Sequence, residues 1–407
     1  MTHLSGNILT PHGFVRGTIE FSVGGDAQMG KIASIVGDAV ATESIRDSAL
    51  PIILPGFVDT HVHGGGGHDI MEGGDATAHV ARLHVRHGTT SLLATTMTAP
   101  AGDLDAAFAG LAAFCVPPGG PPVGPSGGPS GGPPGAPPRP RSGAEAASPM
   151  ARVLGVHLEG PYINPGKLGA QPNFARAMNA DELQRLHAVA PIKLITLAPE
   201  VSGNLEAIRA LASAGFKIQI GHSLGGYEDG VNALASGAIG FTHLFNAMTG
   251  LHHRQPGMVG AALAHAEFAE IIPDLLHVHA GAIRVALRCI PKLFCVTDST
   301  AAAGMPDGEY RLGRHTVTKC LGGVRLADGT LAGSTLTMDQ AFRNLVNELK
   351  LDLVDASRRV STHAADFLGL PDRGRLVSDA WADIVVIDRD LKLTHVFVEG
   401  APVDGQP

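Results

Sequence analysis

Residues 55–64 read PGFVDTHVHG, a strand-like apolar run that ends in His61 and His63 and opens into glycine. Four further segments follow the same grammar. VHLEGP reaches Glu159, IQIGHS reaches His222, FTHLFNAM reaches His243 and CVTDST reaches Asp298. In a parallel β-barrel every strand points its carboxyl end at one face, so residues at several strand ends converge there however far apart they lie in sequence. Imidazoles and carboxylates gathered at a barrel mouth suit a divalent metal and an activated water. The segments therefore predict a metal-dependent hydrolase.

Working outward, strand-like runs alternate with helical ones. ATAHVARLHVRHG, GNLEAIRALASAG, YEDGVNALASG and AGAIRVALRCI carry helical patterns. They are followed by TTSLLATTM, FKIQIGHS, AIGFTHLF and KLFCVTDS, which read as strands. Such alternation implies βαβ units and a parallel sheet. TLTMDQAFRNLVNELK adds an amphipathic helix with Met338, Ala341, Phe342, Leu345 and Leu349 on one side. Both ends of the chain are different: HLSGNILT, GTIEFS and KIASIVG near the start, and ADIVVIDRD and LKLTHVFVEGAPV near the end, read as short strands. The expected fold is α/β, a (β/α)8 TIM-type barrel over residues 54–374. A small β-sandwich is expected to be built from residues 1–53 and 375–407. From Pro117 to Arg141, 11 Pro and 8 Gly leave little to bury, so residues 117–149 are expected to form a disordered insertion in the barrel.

Composition narrows the class. With 407 residues, 44% hydrophobic and 17% charged, the chain can build a large core. A net charge of −8 argues against non-specific nucleic-acid binding, although a local basic cluster can still hold an anion. Cys115, Cys289, Cys295 and Cys320 lack paired or zinc-type spacing and read as free thiols of a reducing compartment. Neither a signal peptide nor an 18-residue apolar window is evident, so a cytoplasmic location without a membrane span is expected.

The motifs have definite geometry. On a strand, His61 and His63 point to the same side, as side chains alternate with period two. Asp59 shares that side and is expected to orient an imidazole rather than ligate metal. Glu159 and His157 share another strand face, with Glu159 the expected ligand and His157 a layer deeper. His222 and His243 end strands in successive βα units, and Asp298 is the expected general base. In FNAMTGLHHRQPG, Asn246, Ala247, His252, His253 and Arg254 form a polar, cationic loop beside His243. An anion site with Arg254 as a phosphate fork is the functional reading, and a solvated loop the plain one.

In order along the chain, PGFVDTHVHG, HLEGP, TLAPE, GHS, THLFNAM, LHHRQPG, VTDS and GTLAGSTLTM resemble the amidohydrolase superfamily. Within it they are most similar to the N-acetylglucosamine-6-phosphate deacetylases. The resemblance implies that Glu159, His222 and His243 form the main metal site and that His61 and His63 add a second position. One or two ions of Zn, Fe, Co or Mn would serve. It further implies Asp298 as base and His277 as a substrate contact. Asn246, Ala247 and Arg254 would hold the 6-phosphate, Arg254 reaching the neighbouring subunit's site of a homodimer. Leu331, Ala332, Gly333 and Ser334 would line the sugar pocket. Where the family usually reads Gly-Ala-His after HLEGP, this chain has Gly169, Ala170 and Gln171, so Ala170 and Gln171 are expected at the substrate. The turn at Leu224, Gly225 and Gly226 and the segment STHAADFLGL are further departures. The implied partner is a phosphorylated amino sugar, N-acetylglucosamine 6-phosphate or its galactosamine epimer. A non-catalytic relative is the remaining alternative, and it is expected to have lost ligands that this chain retains.

Overall fold

The chain opens with four strands, β1 (Thr2–Thr10), β2 (Gly13–Phe21), β3 (Ile32–Val40) and β4 (Ile52–Pro55). The computed structural model describes residues 1–22, 30–115 and 149–404. The Pro/Gly-rich insertion expected at residues 117–149 lies outside the described residues, apart from Pro149. One residue, Gly56, separates β4 from the next strand. A Cβ there would come within 2.2 Å of the Thr90 hydroxyl, so the crossing from one sheet to another needs glycine.

Eight parallel strands follow: β5 (Phe57–Val62), β6 (Thr89–Thr96), β7 (Arg152–Glu159), β8 (Ile192–Leu197), β9 (Lys217–Ile220), β10 (Gly240–Phe241), β11 (Phe268–Ile271) and β12 (Lys292–Cys295). Ladders join β5 through β10 in sequence, and β11 to β12. The Leu244 N–H donates to Glu270 O at 2.8 Å, linking β10 to β11. The Asp298 N–H donates to His61 O at 2.9 Å and closes the ring on β5. Helices α1 (Ala76–Arg86), α2 (Ala101–Leu111), α3 (Ala180–Val189), α4 (Asn204–Ser213), α5 (Tyr227–Ala235), α6 (Gly257–His265) and α7 (Ala280–Cys289) alternate with the strands, and α8 (Met338–Asn347) follows the last. Every residue of β5 and β6 is buried, as expected for strands covered on both faces. Helix α8 buries the predicted side, and Phe342 stacks on Phe57 with centroids 6.1 Å apart. The expected TIM-type barrel is borne out.

Between β12 and α8 lies a small antiparallel sheet, β13 (Gly308–Leu312), β14 (His315–Cys320) and β15 (Gly323–Arg325). Leu312, Val317 and Val324 pack from it onto Met97, Ala302 and Ala332 beside the barrel mouth. Its first turn is tied down twice. The Arg314 guanidinium forks onto Asp103 at 2.7 and 3.2 Å, and the Gly313 N–H donates to Asp69 Oδ2 at 2.6 Å.

After α9 (Leu353–Val360) and α10 (Thr362–Leu368), strands β16 (Ile384–Ile387), β17 (Leu393–Val398) and β18 (Ala401–Pro402) return to the starting sheet. Its order is β18-β17-β16-β4-β1-β2-β3, so both termini build it. Phe21 on β2 meets Phe397 on β17 at 5.4 Å, with β1, β4 and β16 between their strands. The sandwich-like core of Ile8, Ile19, Phe21, Ile53, Ile384 and Phe397 is thus enclosed by one sheet curling over itself.

Candidate metal centre and catalytic site

Most of the site sits where barrel strands end. His61 and Glu159 lie in the last turns of β5 and β7, and His63 is the residue after β5. His222, His243 and Asp298 stand just beyond β9, β10 and β12, with left-handed φ of 50°, 27° and 49°. Non-glycine residues in that region cost of the order of 1–3 kcal/mol each, and persist where surrounding structure holds them. Here the barrel does so: Asp298 donates its N–H to His61 O, and Ser334 N–H donates to Asp298 O at 2.7 Å.

Among the described residues three groups of potential metal-ligand atoms form, and two of them, Glu159–His222–His243 and His61–His63–Asp298, meet at the cavity, with His61–His157–Glu270 behind them. Glu159 Oε1 lies 3.1 Å from His222 Nε2 and 2.9 Å from His243 Nε2, and the two nitrogens are 3.1 Å apart. Beside them, His61 Nε2 and His63 Nε2 are 3.2 Å apart, at 3.5 and 3.4 Å from Asp298 Oδ1. Glu159 joins the groups, with Oε2 at 3.1 Å from His63 Nε2.

Tautomers show what these atoms are suited to hold. His222 Nδ1 lies 2.8 Å from Lys167 O, which only accepts, so Nδ1 carries hydrogen. Nε2 of a neutral His222 then turns a lone pair toward the Glu159 oxygen. His61 Nδ1 donates likewise to Glu270 Oε2 at 3.1 Å, leaving its Nε2 lone pair among His63, Glu159 and Asp298. Facing lone pairs at this range require a cation or protons between them. Nitrogen donors mixed with carboxylate fit a divalent transition metal, with an outer carboxylate fixing one imidazole. Burial lowers the proton affinity of His63, but Asp298 and Glu159 outweigh it and raise its pKa to about 9. His61 is raised in the same way by Glu159 and Asp298 against burial. Burial pushes Asp298 up, yet His61 and His63 bring its carboxyl below the usual range.

A cavity of about 230 Å³ opens onto this centre. His63, Glu159, His222, His243 and Asp298 line it together with Ala170, Gln171, Asn246, Ala247, His277, Leu331 and Gly333. His61 lies behind this wall. Ala332 and Ser334 correct the expectation for residues 331–334. The chain bends at Gly333, whose φ is 62°: Ala332 packs into the core under the small sheet, and Ser334 donates its hydroxyl to Thr297 O at 2.5 Å. Arg254 does not line this chain's cavity either; residues 251–255 are exposed. No lysine or arginine lines it among the described residues.

Asp59 is a second correction. It accepts from the Thr297 hydroxyl at 2.6 Å and from the His61 backbone N–H at 3.2 Å, so it ties strand ends together and touches no imidazole by hydrogen bond. Burial raises its carboxyl to about 7. The imidazole is oriented instead by Glu270, a residue missed in the sequence. Fully buried, Glu270 also accepts from the Thr60 hydroxyl at 2.7 Å. Its signal was a lone carboxylate inside the apolar run FAEII, where an unpaired charge would be costly. His157 lies a layer deeper as expected, 2.8 Å from Thr196 Oγ1, and burial brings its pKa down to about 3. Glu200 was also missed: it accepts from Ser223, Leu224 N–H and Asn164 at 2.7, 2.7 and 2.9 Å, bracing two site loops.

Comparison with known proteins finds relatives over most of the chain. The sequence profile of the Amidohydrolase family matches residues 52–403. The chain is 36% identical over 364 residues to an N-acetylgalactosamine-6-phosphate deacetylase of Escherichia coli O157:H7, covering 88% of this chain and 89% of that one. It is 36% identical over 355 residues to an N-acetylglucosamine-6-phosphate deacetylase of Vibrio furnissii, covering 86% and 82%. Among solved structures, a variant of the Mycobacterium smegmatis N-acetyl-D-glucosamine-6-phosphate deacetylase, in complex with N-acetyl-D-glucosamine-6-phosphate, superposes with a TM-score of 0.81 at 31% identity, covering 98% of each chain. With a family match across most of its length and its barrel mouth built from the expected ligand types, the chain belongs to the amidohydrolase family.

Proposed function

We propose that this protein removes the acetyl group from N-acetyl-D-glucosamine 6-phosphate, releasing acetate and D-glucosamine 6-phosphate. The observation that carries the reading is the convergence of His63, His222, His243, Glu159 and Asp298 on a cavity, with His61 directly behind them, in a chain similar throughout to such deacetylases. Glu159, His222 and His243 would hold a cation, with a second position at His61 and His63, and that ion would supply Lewis acidity and lower the pKa of water toward about 7. Asp298 accepts the proton of the attacking water, and its carboxyl is ionised to do so. It then passes that proton to the departing nitrogen, which is otherwise too poor a leaving group. His277 donates Nδ1–H to Asp274 at 2.6 Å, and that carboxylate raises its pKa against the effect of burial. The shift favours a proton on its remaining nitrogen, which would suit a developing oxyanion. Asn246 and Ala247 sit on the wall assigned to the 6-phosphate. Because no arginine lines the cavity among the described residues, Arg254 of a second copy in a homodimer completes the anion site. The enzyme acts in the cytoplasm.

A second reading, the galactosamine epimer as preferred substrate, is favoured by the Escherichia coli O157:H7 relative and by Gln171. One experiment separates the readings: acetate release from a panel of 6-phosphorylated and unphosphorylated N-acetyl sugars, with metal content measured on the same sample. The highest kcat/KM is expected for the glucosamine phosphate. A higher value for its epimer would favour the second reading. Failure on the whole panel by metal-loaded protein would remove both.

A further inference from the structure

Gln171 bridges two strand ends. Its side chain is buried, and the Thr98 backbone N–H donates to its Oε1 at 2.6 Å. Its Nε2 donates to Glu159 Oε2 at 2.5 Å. The orientation of the amide follows from chemistry. A backbone N–H can only donate, so the carboxamide oxygen faces Thr98, and the NH2 group is left facing a carboxylate that can only accept. The segment carrying Gln171 is held in turn, its own N–H donating to Leu168 O at 2.8 Å. Thr98 follows β6 closely and Glu159 ends β7, so the side chain crosses between neighbouring barrel strands.

The consequence falls on Glu159, whose oxygens are divided. Oε1 faces His222 and His243, whereas Oε2 is held by Gln171 beside His63. A carboxylate otherwise rotates readily about its terminal torsion. With Oε2 fixed, Oε1 is presented in one direction. We propose that Gln171 is a positioning residue for the metal centre: it holds Glu159 in the rotation that serves the His222–His243 pair. This rests on the metal reading above and deepens it. It also gives Gln171 a role other than the sugar contact expected from its place in the sequence, although the residue lines the cavity.

Gln171→Ala and Gln171→Met test the role, the second keeping the chain length while removing both hydrogen-bonding groups. Binding of Zn²⁺ would be measured by competition with a chromogenic chelator, alongside thermal melting of the chelator-treated protein. Loss of an outer partner of a metal ligand typically weakens binding about 10- to 100-fold, and that loss is expected in both variants with little change in melting. Unchanged Zn²⁺ affinity with a raised KM would make Gln171 a substrate contact and overturn the proposal. Loss of the melting transition in both variants would make it a prop of the fold and overturn it too. A wild-type chain that takes up no Zn²⁺ would remove the metal reading itself, and the proposal with it.

Discussion

Asp298 combines a left-handed backbone with a carboxylate 3.4 and 3.5 Å from two imidazoles. Replacing it by Asn keeps the shape and the backbone bonds that close the barrel but removes the proton acceptor. Asp298→Asn is therefore expected to fold and to take up metal much as wild type does, while kcat falls by about a hundredfold or more. Turnover near wild type in a metal-loaded variant would exclude Asp298 as base. The same carboxylates set a pH dependence. His63, raised to about 9, holds a proton at neutral pH when no metal is bound, whereas a metal-ligating imidazole must release the proton on its ligating nitrogen. Metal uptake at pH 7 is thus expected to release protons, and affinity to strengthen as pH rises toward 9 and weaken as it falls. Calorimetric titration in two buffers of different ionisation enthalpy counts those protons. A count of zero would show that His63 is already neutral.

At the scale of elements, the site depends on pieces that make no chemistry themselves. The β13–β15 sheet places Leu312 on the cavity and is moored to α2 by the Arg314–Asp103 fork. Solvent screens an exposed pair of this kind, so the apolar contacts to Met97 and Ala302 hold the sheet. The stretch that follows α2 has the opposite character in sequence. Its 11 Pro and 8 Gly within residues 117–141 bring almost no apolar surface. Deletion of residues 118–140 is expected to leave kcat/KM unchanged and to move Tm by no more than about 2 °C, the scale of a sub-kilocalorie change in a large domain. Insoluble protein, or a larger fall in a melting experiment, would show that the segment supports folding or assembly.

Across the whole molecule, the puzzle is charge. The substrate proposed is a dianion, the chain carries −8, and no lysine or arginine lines the cavity among the described residues. Arg254, on an exposed loop, is the cation assigned to a second copy. Arg254→Ala is expected to raise KM for the phosphorylated sugar roughly ten- to a hundredfold, as charge-assisted bonds of about 1.5–3 kcal/mol are lost. Slow hydrolysis of the unphosphorylated sugar should barely change. Co-expression of Arg254→Ala with Asp298→Asn supplies the sharper measurement. In a two-fold symmetric dimer, random mixing leaves about a quarter of sites with both residues intact, so activity should reappear when the variants are combined. No recovery in purified mixed dimers would place Arg254 outside the shared site.

Local pattern determined much of this protein. Period-two alternation put His61 and His63 on one side of a strand, and alternating helices and strands required a parallel sheet whose carboxyl ends share a face. From those two facts Glu159, His222, His243 and Asp298 could be brought together without coordinates. Other features depend on neighbours that are remote in sequence. Glu270 reads as a lone acid in an apolar run until the barrel closes and sets it 3.1 Å from His61. Asp59 reads as an imidazole partner, yet Thr297 reaches it first, 238 residues away in the chain. Leu331 and Gly333 face the cavity while Ala332 and Ser334 do not, because the bond from Ser334 to Thr297 decides the side. Periodicity specifies which side chains share a face; which remote donor meets a buried carboxylate is decided only when strands close into a ring and every buried polar group must find a partner.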